Sequence, residues 1–112
     1  MPFCPALLVR QNFPDRTLSD IVGTVRRELE QGAFASRLAP GSRVAIGVGS
    51  LGISNLALIV RSVVDFWQSA GMRPFIFPAM GSHGGATAEG QAGVLAHFGI
   101  TEASMGCPIV SS

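Results

Sequence analysis

The sequence contains no lysine; its eight basic residues are all arginine, against seven acidic ones, for a net charge of +1. Apart from the adjacent Arg26 and Arg27 the arginines are scattered, so the clustered positive charge of a nucleic-acid footprint is missing. That one pair reads as part of a solvated helix face. A Walker-type phosphate loop is excluded as well, because it needs a lysine. Cysteine is scarce. Cys4 and Cys107 stand near opposite ends of the chain without partners at metal-ligand spacing. A reduced, cytoplasmic chain is the expectation, which argues against a structural disulfide, although sequence alone leaves a bridge between the two ends open. Met1 to Gln11 lacks a basic start followed by an apolar run, so no signal peptide is expected. The longest apolar helix candidate is interrupted by Asn55, Arg61, Asp65 and Gln68, and is not expected to span a membrane.

What the chain does have is apolar surface. Of its 112 residues 47 % are hydrophobic and only 13 % charged. One small domain of this size buries roughly 60–65 % of the surface its unfolded chain exposes. The composition therefore predicts more core-facing surface than the chain can bury alone, as in a fragment or one half of a larger sheet. The other reading is a complete but unusually apolar small domain.

Residues 1–16 carry three prolines and read as an edge strand or extended lead-in. Leu7-Leu8-Val9 could pair at a sheet edge, with Pro5 limiting it. Thr17 and Asp20 have the form of a helix start, and Leu18, Ile21, Val22, Val25 and Leu29 follow at helical spacing up to Gly32. Ser42 to Val48 is a nearly continuous apolar strand of the kind buried on both faces of a parallel sheet. A helix capped by Ser54 or Asn55 runs to about Ala70, with Leu56, Ile59, Val60, Val63, Phe66 and Trp67 as its inner face. Gly71 ends it, and Pro74 to Ala79 is the second strand. Thr87 leads into a third helix that stops at Gly99, and Cys107 to Ser112 is a candidate third strand. Strand, helix and strand with short turns imply a right-handed β-α-β crossover in a Rossmann-like open parallel sheet. Both post-strand turns then lie at the carboxyl edge, where such sheets bind ligands.

The first of these turns, Gly47-Val48-Gly49-Ser50-Leu51-Gly52, matches G-x-G-x-x-G between a strand and a helix. Glycines there let a backbone approach a phosphate. A dinucleotide site also wants a carboxylate at the end of the next strand, yet that strand ends in Ala79-Met80-Gly81. A mononucleotide or other anion site, and a tight turn needing small residues only for packing, both stay open. The second turn, Met80 to Thr87, sets His83 among small neighbours. An imidazole changes charge near neutral pH and suits proton exchange, which makes His83 the best catalytic candidate beside the plainer reading of a surface histidine. His97, near a helix end, reads as structural. No serine-histidine-acid triad can be assembled, and no metal site is expected from two His and two Cys so dispersed.

At these residues the chain resembles the N-terminal domain of the lactate racemase-like family. The segments are Gly41 to Ser50, Pro78 to Gln91 and Gly99 to Ile109. The resemblance implies a two-domain α/β isomerase with a cleft between its domains and a nickel-pincer nucleotide as cofactor. It also implies inversion of a small-molecule 2-hydroxy acid by proton-coupled hydride transfer. It gives His83 the role of the base from the N-terminal domain. Gly49, Ser50 and Gly52 become contacts to the cofactor, and Gly81 and Ser82 contacts to the substrate. Related sequences tend to carry an Arg where this chain has Leu51, which removes a charge. The lysine anchor, the nickel-ligating His, the second catalytic His and the C-terminal domain would lie beyond residue 112, so the fragment alone is expected to be inactive.

Residues 1–112 are thus expected to be the N-terminal cofactor- and substrate-binding half of a racemase or epimerase. The alternatives are a non-catalytic nucleotide- or anion-binding module and a truncated chain that oligomerises through an apolar edge.

Overall fold

The computed structural model describes residues 4–50 and 52–111. Helix α1 (Ile21–Gln31) begins at Asp20, whose carboxylate accepts the Gly23 N–H at 3.0 Å and so satisfies one of the free amides of the first turn. Thr17, the other candidate cap, donates its own N–H to Asp15 instead. The lead-in departs from expectation. Residues 4–18 form no strand, and Leu7, Leu8, Val9 and Phe13 are exposed, so the edge-strand reading of Leu7-Leu8-Val9 is corrected to a lead-in without regular secondary structure.

Strand β1 (Arg43–Val48) and strand β2 (Arg73–Pro78) pair in parallel, with Arg43 opposite Arg73 and Val48 opposite Pro78. The 14-residue helix α2 (Leu56–Ser69) joins them. Its exit turns at Gly71, which takes a left-handed φ of 80° and whose carbonyl accepts from the Gly41 N–H at 2.9 Å. That bond brings the starts of both strands together and helps to set their register. Beyond β2 lie α3 (Ala88–His97) and the single-turn helix α4 (Glu102–Met105). The candidate third strand is reduced to one parallel bridge, Ile76 with Ile109. Pro108 and Val110 exchange backbone hydrogen bonds with Ile76 there.

Burial along the strands alternates, which corrects the expectation of a strand buried on both faces. Val44, Ile46 and Val48 turn toward the helices, while Arg43, Ala45 and Gly47 are exposed. In β2, Pro74 and Ile76 are buried and Phe77 is exposed. All the buried apolar clusters lie on one side. Ile76, Val64, Leu95 and Ile100, each 0–1 % exposed, pack with Val48, Val60, Met105 and Cys107. A second cluster of Phe66, Trp67 and Met72 takes in Leu29 of α1 and Val44 of β1. On the opposite face the rings of β2 lie over their neighbours in the sheet. Phe77 crosses Gly47, where a Cβ would come within 2.9 Å of the ring, and the Arg43 guanidinium sits 4.5 Å from the centre of the Phe75 ring.

Helix α2 buries more than the one stripe expected, adding Val64 and Ser62 to Val60, Phe66 and Trp67. It packs against α1, α4 and β2. Ser62 tolerates burial because its hydroxyl donates to the Leu58 carbonyl at 2.8 Å. No helix among the described residues is long and apolar enough to cross a membrane.

Candidate functional site at the carboxyl edge of the sheet

Parallel pairing places the turns after β1 and β2 side by side, and the Ala79 N–H donates to the Val48 carbonyl at 2.9 Å just where they begin. Across that junction Ser50 and His83 meet. The Ser50 hydroxyl lies 2.5 Å from Nδ1 of His83, and Ser50 itself is 9 % exposed while His83 is open to solvent. The two residues are thirty-three positions apart in sequence. Two proton arrangements satisfy the contact. Either the hydroxyl donates to Nδ1, or Nδ1–H donates to the hydroxyl oxygen and leaves Nε2 with a lone pair.

The His83 turn is held from several sides. His83 and the residues to Ala86 form a short 3-10 turn, and Gly84 takes a left-handed φ of 65°. Gly84 also lies directly against α3; a Cβ on it would fall 2.5 Å from the Gly90 carbonyl carbon, and one on Gly90 would overlap the Gly84 carbonyl. Only a glycine pair allows this approach. Thr87 caps α3 by accepting the Gly90 N–H at 3.0 Å and donates its hydroxyl to the Gly84 carbonyl at 3.2 Å. Gln91 reaches back from α3 to the Gly81 carbonyl at 2.7 Å. The histidine therefore stands on a turn tied at both ends to a helix.

Gly49, Ser50, Gly81, Ser82 and His83 line one cavity of about 470 Å³, together with Ile53, Ala79 and Met80. Five of the six site residues read from the sequence thus come together. Gly52 does not line this cavity, and Leu51 lies outside the described residues. Among the described residues no charged side chain borders the cavity. An anion there would be met by backbone N–H groups, the Ser50 and Ser82 hydroxyls and the imidazole. Ile53 and Met80 supply an apolar wall that the sequence reading missed; Ile53 follows the glycine motif and Met80 precedes the histidine turn, so their positions beside the two turns were the available signal.

The same Ser50–His83 pair borders a second cavity on its other side, of about 480 Å³, whose wall includes Gly90, Gly93 and His97. His97, read as structural, is exposed there with its ring edge-on to Phe98 at 5.7 Å. No group of three or more His, Cys, Asp or Glu side chains that could hold a metal occurs among the described residues. Comparison with family models, with curated proteins and with solved structures gives no match to this chain.

Proposed function

We propose that this chain is the N-terminal, cofactor- and substrate-binding half of a racemase or epimerase acting on 2-hydroxy acids. In this reading its two strands and bridge belong to a larger Rossmann-like sheet. The observation that carries the reading is the Ser50–His83 contact at 2.5 Å, which joins the two glycine turns around one cavity outside the strand ends. Ligands of open α/β sheets bind at that edge. The segments that resemble the lactate racemase-like family include Gly49 and Ser50 of the first turn and the whole of the second.

His83 is the proposed base. With Nδ1–H donated to the Ser50 oxygen, Nε2 is free to take the proton of the substrate hydroxyl, and the resulting imidazolium keeps its Nδ1–H bond to serine. Ser50 acts through the ring by holding it in one orientation. Gly81 and Ser82 lie where they can contact the substrate, and Gly49 with Ser50 where they can contact the cofactor.

The walls fit the organic part of a pyridinium mononucleotide better than its metal. A cavity of about 470 Å³ is within the range of small-molecule sites. The backbone at Gly81 is open, since a Cβ there would meet no atom within 4 Å. Gly49, Ser50 and the apolar wall of Ile53 and Met80 would hold the nucleotide. The nickel-pincer nucleotide, when bound, supplies the hydride acceptor. A covalent lysine anchor cannot come from a chain with no lysine, and nickel ligands would have to come from beyond the described residues.

The test is a titration of the ¹⁵N-labelled chain with nicotinic acid mononucleotide, followed at the Gly49, Ser50, Gly81 and Ser82 amides and the His83 ring. Joint, saturable shifts in both turns are expected. A folded chain that responds in neither turn would remove the nucleotide from the reading. For the protein carrying both domains and its nickel cofactor, His83→Gln should abolish racemisation of a 2-hydroxy acid; unchanged racemisation would remove His83 as the base.

A further inference from the structure

Toward the amino end of the strands, proline interrupts the sheet. The Ile76–Ile109 bridge is made by the Ile76 N–H donating to the Pro108 carbonyl and the Val110 N–H donating to the Ile76 carbonyl. The next parallel rung would need N–H donors at Pro74 and Pro108, and proline has none. The ladder stops there. A cavity of about 340 Å³ opens between the start of β2 and residues 106–108. Its far wall is fixed by the Gln68 side chain, which donates to the Gly106 carbonyl at 2.7 Å.

Arg43 and Arg73 both line this cavity and stand directly opposite each other on β1 and β2, on strands about 4.8 Å apart. Like charges facing each other across neighbouring strands are destabilising. Among the described residues the ion pairs are Arg26 with Glu30 and Arg61 with Asp65, and none of the residues lining the cavity carries a carboxylate. The facing arginines are therefore not offset by a charge of the described chain. Both guanidiniums are nevertheless held in place. Arg73 donates from Nε to the Gly41 carbonyl at 2.9 Å, which leaves the two terminal nitrogens of its fork to donate elsewhere. Arg43 lies over the Phe75 ring, 4.5 Å from its centre.

We infer that this cavity binds a phosphomonoester, with Arg43 and Arg73 on its phosphate and Met72, Phe75 and Pro108 against the apolar group it carries. Two fixed guanidiniums match a phosphate, which has a charge of about −1.5 to −2 at neutral pH and three acceptor oxygens; a single carboxylate would neutralise only one of them. The volume is at the lower end of small-molecule sites, about 300–1,000 Å³, and leaves room for a group beyond the phosphate. The strand-end cavity lies at the other end of β1, roughly 16 Å away at about 3.3 Å per residue, so the inference is independent of the proposed reading.

The experiment is an NMR titration of the ¹⁵N-labelled 112-residue chain with phenyl phosphate, inorganic phosphate and acetate, each against sodium chloride at equal ionic strength. The Arg43, Arg73, Phe75 and Cys107 amides should shift together and saturate with phenyl phosphate, more weakly with inorganic phosphate, and not with acetate. Arg43→Gln and Arg73→Gln should each weaken phenyl phosphate binding about tenfold, as loss of a hydrogen bond to a charged group does. Both side chains are exposed, so the variants should keep the parent's fold and its spectrum away from the cavity. Three results would overturn the inference: no saturable shift at these amides with phenyl phosphate, a response that survives both substitutions together, or acetate or inorganic phosphate binding as tightly as phenyl phosphate. The nucleotide titration is read at Gly49, Ser50, Gly81 and Ser82, at the other end of the strands, and stands or falls by its own result.

Discussion

The two glycine turns at the carboxyl edge have similar composition and different construction. In the turn after β1, Gly52 takes a left-handed φ of 58° and a Cβ on it would meet no atom within 4 Å. In the turn after β2, Gly84 has nearly the same φ, 65°, but lies against the backbone of α3. The first turn contributes one buried hydroxyl, Ser50, to the site. The second contributes the titratable ring and is bound to α3 through Thr87 and Gln91. The G-x-G-x-x-G match in the first turn is the more familiar pattern. The less familiar turn is the one braced against its helix, which is what a group needs if it is to keep a fixed position during proton transfer.

Alanine at Gly84 is the largest test of that contrast. The left-handed backbone and the collision with Gly90 both oppose it, for a combined loss of about 3 kcal/mol. Thermal unfolding should show the drop, and the Ser50–His83 contact should loosen with it. Alanine at Gly52 meets only the backbone penalty and should cost about 1 kcal/mol. Equal losses at the two positions would mean that the α3 contact is no tighter than the open turn, and the contrast would be broken.

Much of this architecture can be read from the residues, and the exceptions have physical causes. Strand and helix positions followed periodicity and capping chemistry, as at Val44 to Val48 and at Thr87. The burial of β1 was misjudged because a run such as Val44-Ala45-Ile46-Gly47-Val48 looks apolar on both faces. Ala45 and Gly47 are small and exposed, however, and Gly47 sits under the Phe77 ring of the neighbouring strand rather than under a helix. The co-location of both turns follows from a parallel crossover, so five residues of the strand-end cavity were legible. The Ser50–His83 bond was not, since a contact over thirty-three positions depends on register and side-chain rotamer. His97 was set aside for the same kind of reason. Only the α3 face, with Gly90 and Gly93 aligned, places it on the wall of a cavity that also contains His83.

A smaller effect sharpens the role of the brace. Gln91→Ala removes the bond from α3 to the Gly81 carbonyl, which is 2.7 Å long and solvent-exposed. It should cost about 0.5–1 kcal/mol, read as a lower midpoint in urea with an unchanged slope. Hydrogen exchange at the His83 and Gly84 amides should quicken while exchange at Ile76 stays constant, because local opening of a turn need not open the core. If Ile76 exchanged faster to the same degree, the turn and the core would be a single cooperative unit and the brace would have no separate existence.

The smallest change in stability accompanies the most informative change at the site. Ser50→Ala deletes one hydroxyl beside an exposed ring and should cost no more than about 1 kcal/mol. In the parent, the ring nitrogens of His83 should report a tautomer biased by the serine, since whichever nitrogen carries the proton is set by the partner of the other. In Ser50→Ala the ¹⁵N shifts of Nδ1 and Nε2 should move toward those of an unconstrained imidazole, and Ser50→Thr, which keeps the hydroxyl, should restore them. His97, which has no such partner among the described hydrogen bonds, supplies the internal reference and should not move in either variant. Identical His83 spectra in the parent and in Ser50→Ala would mean that the serine does not orient the ring. The two turns would then be neighbours in space without being coupled, and the case for one site built from both would fail at its central contact.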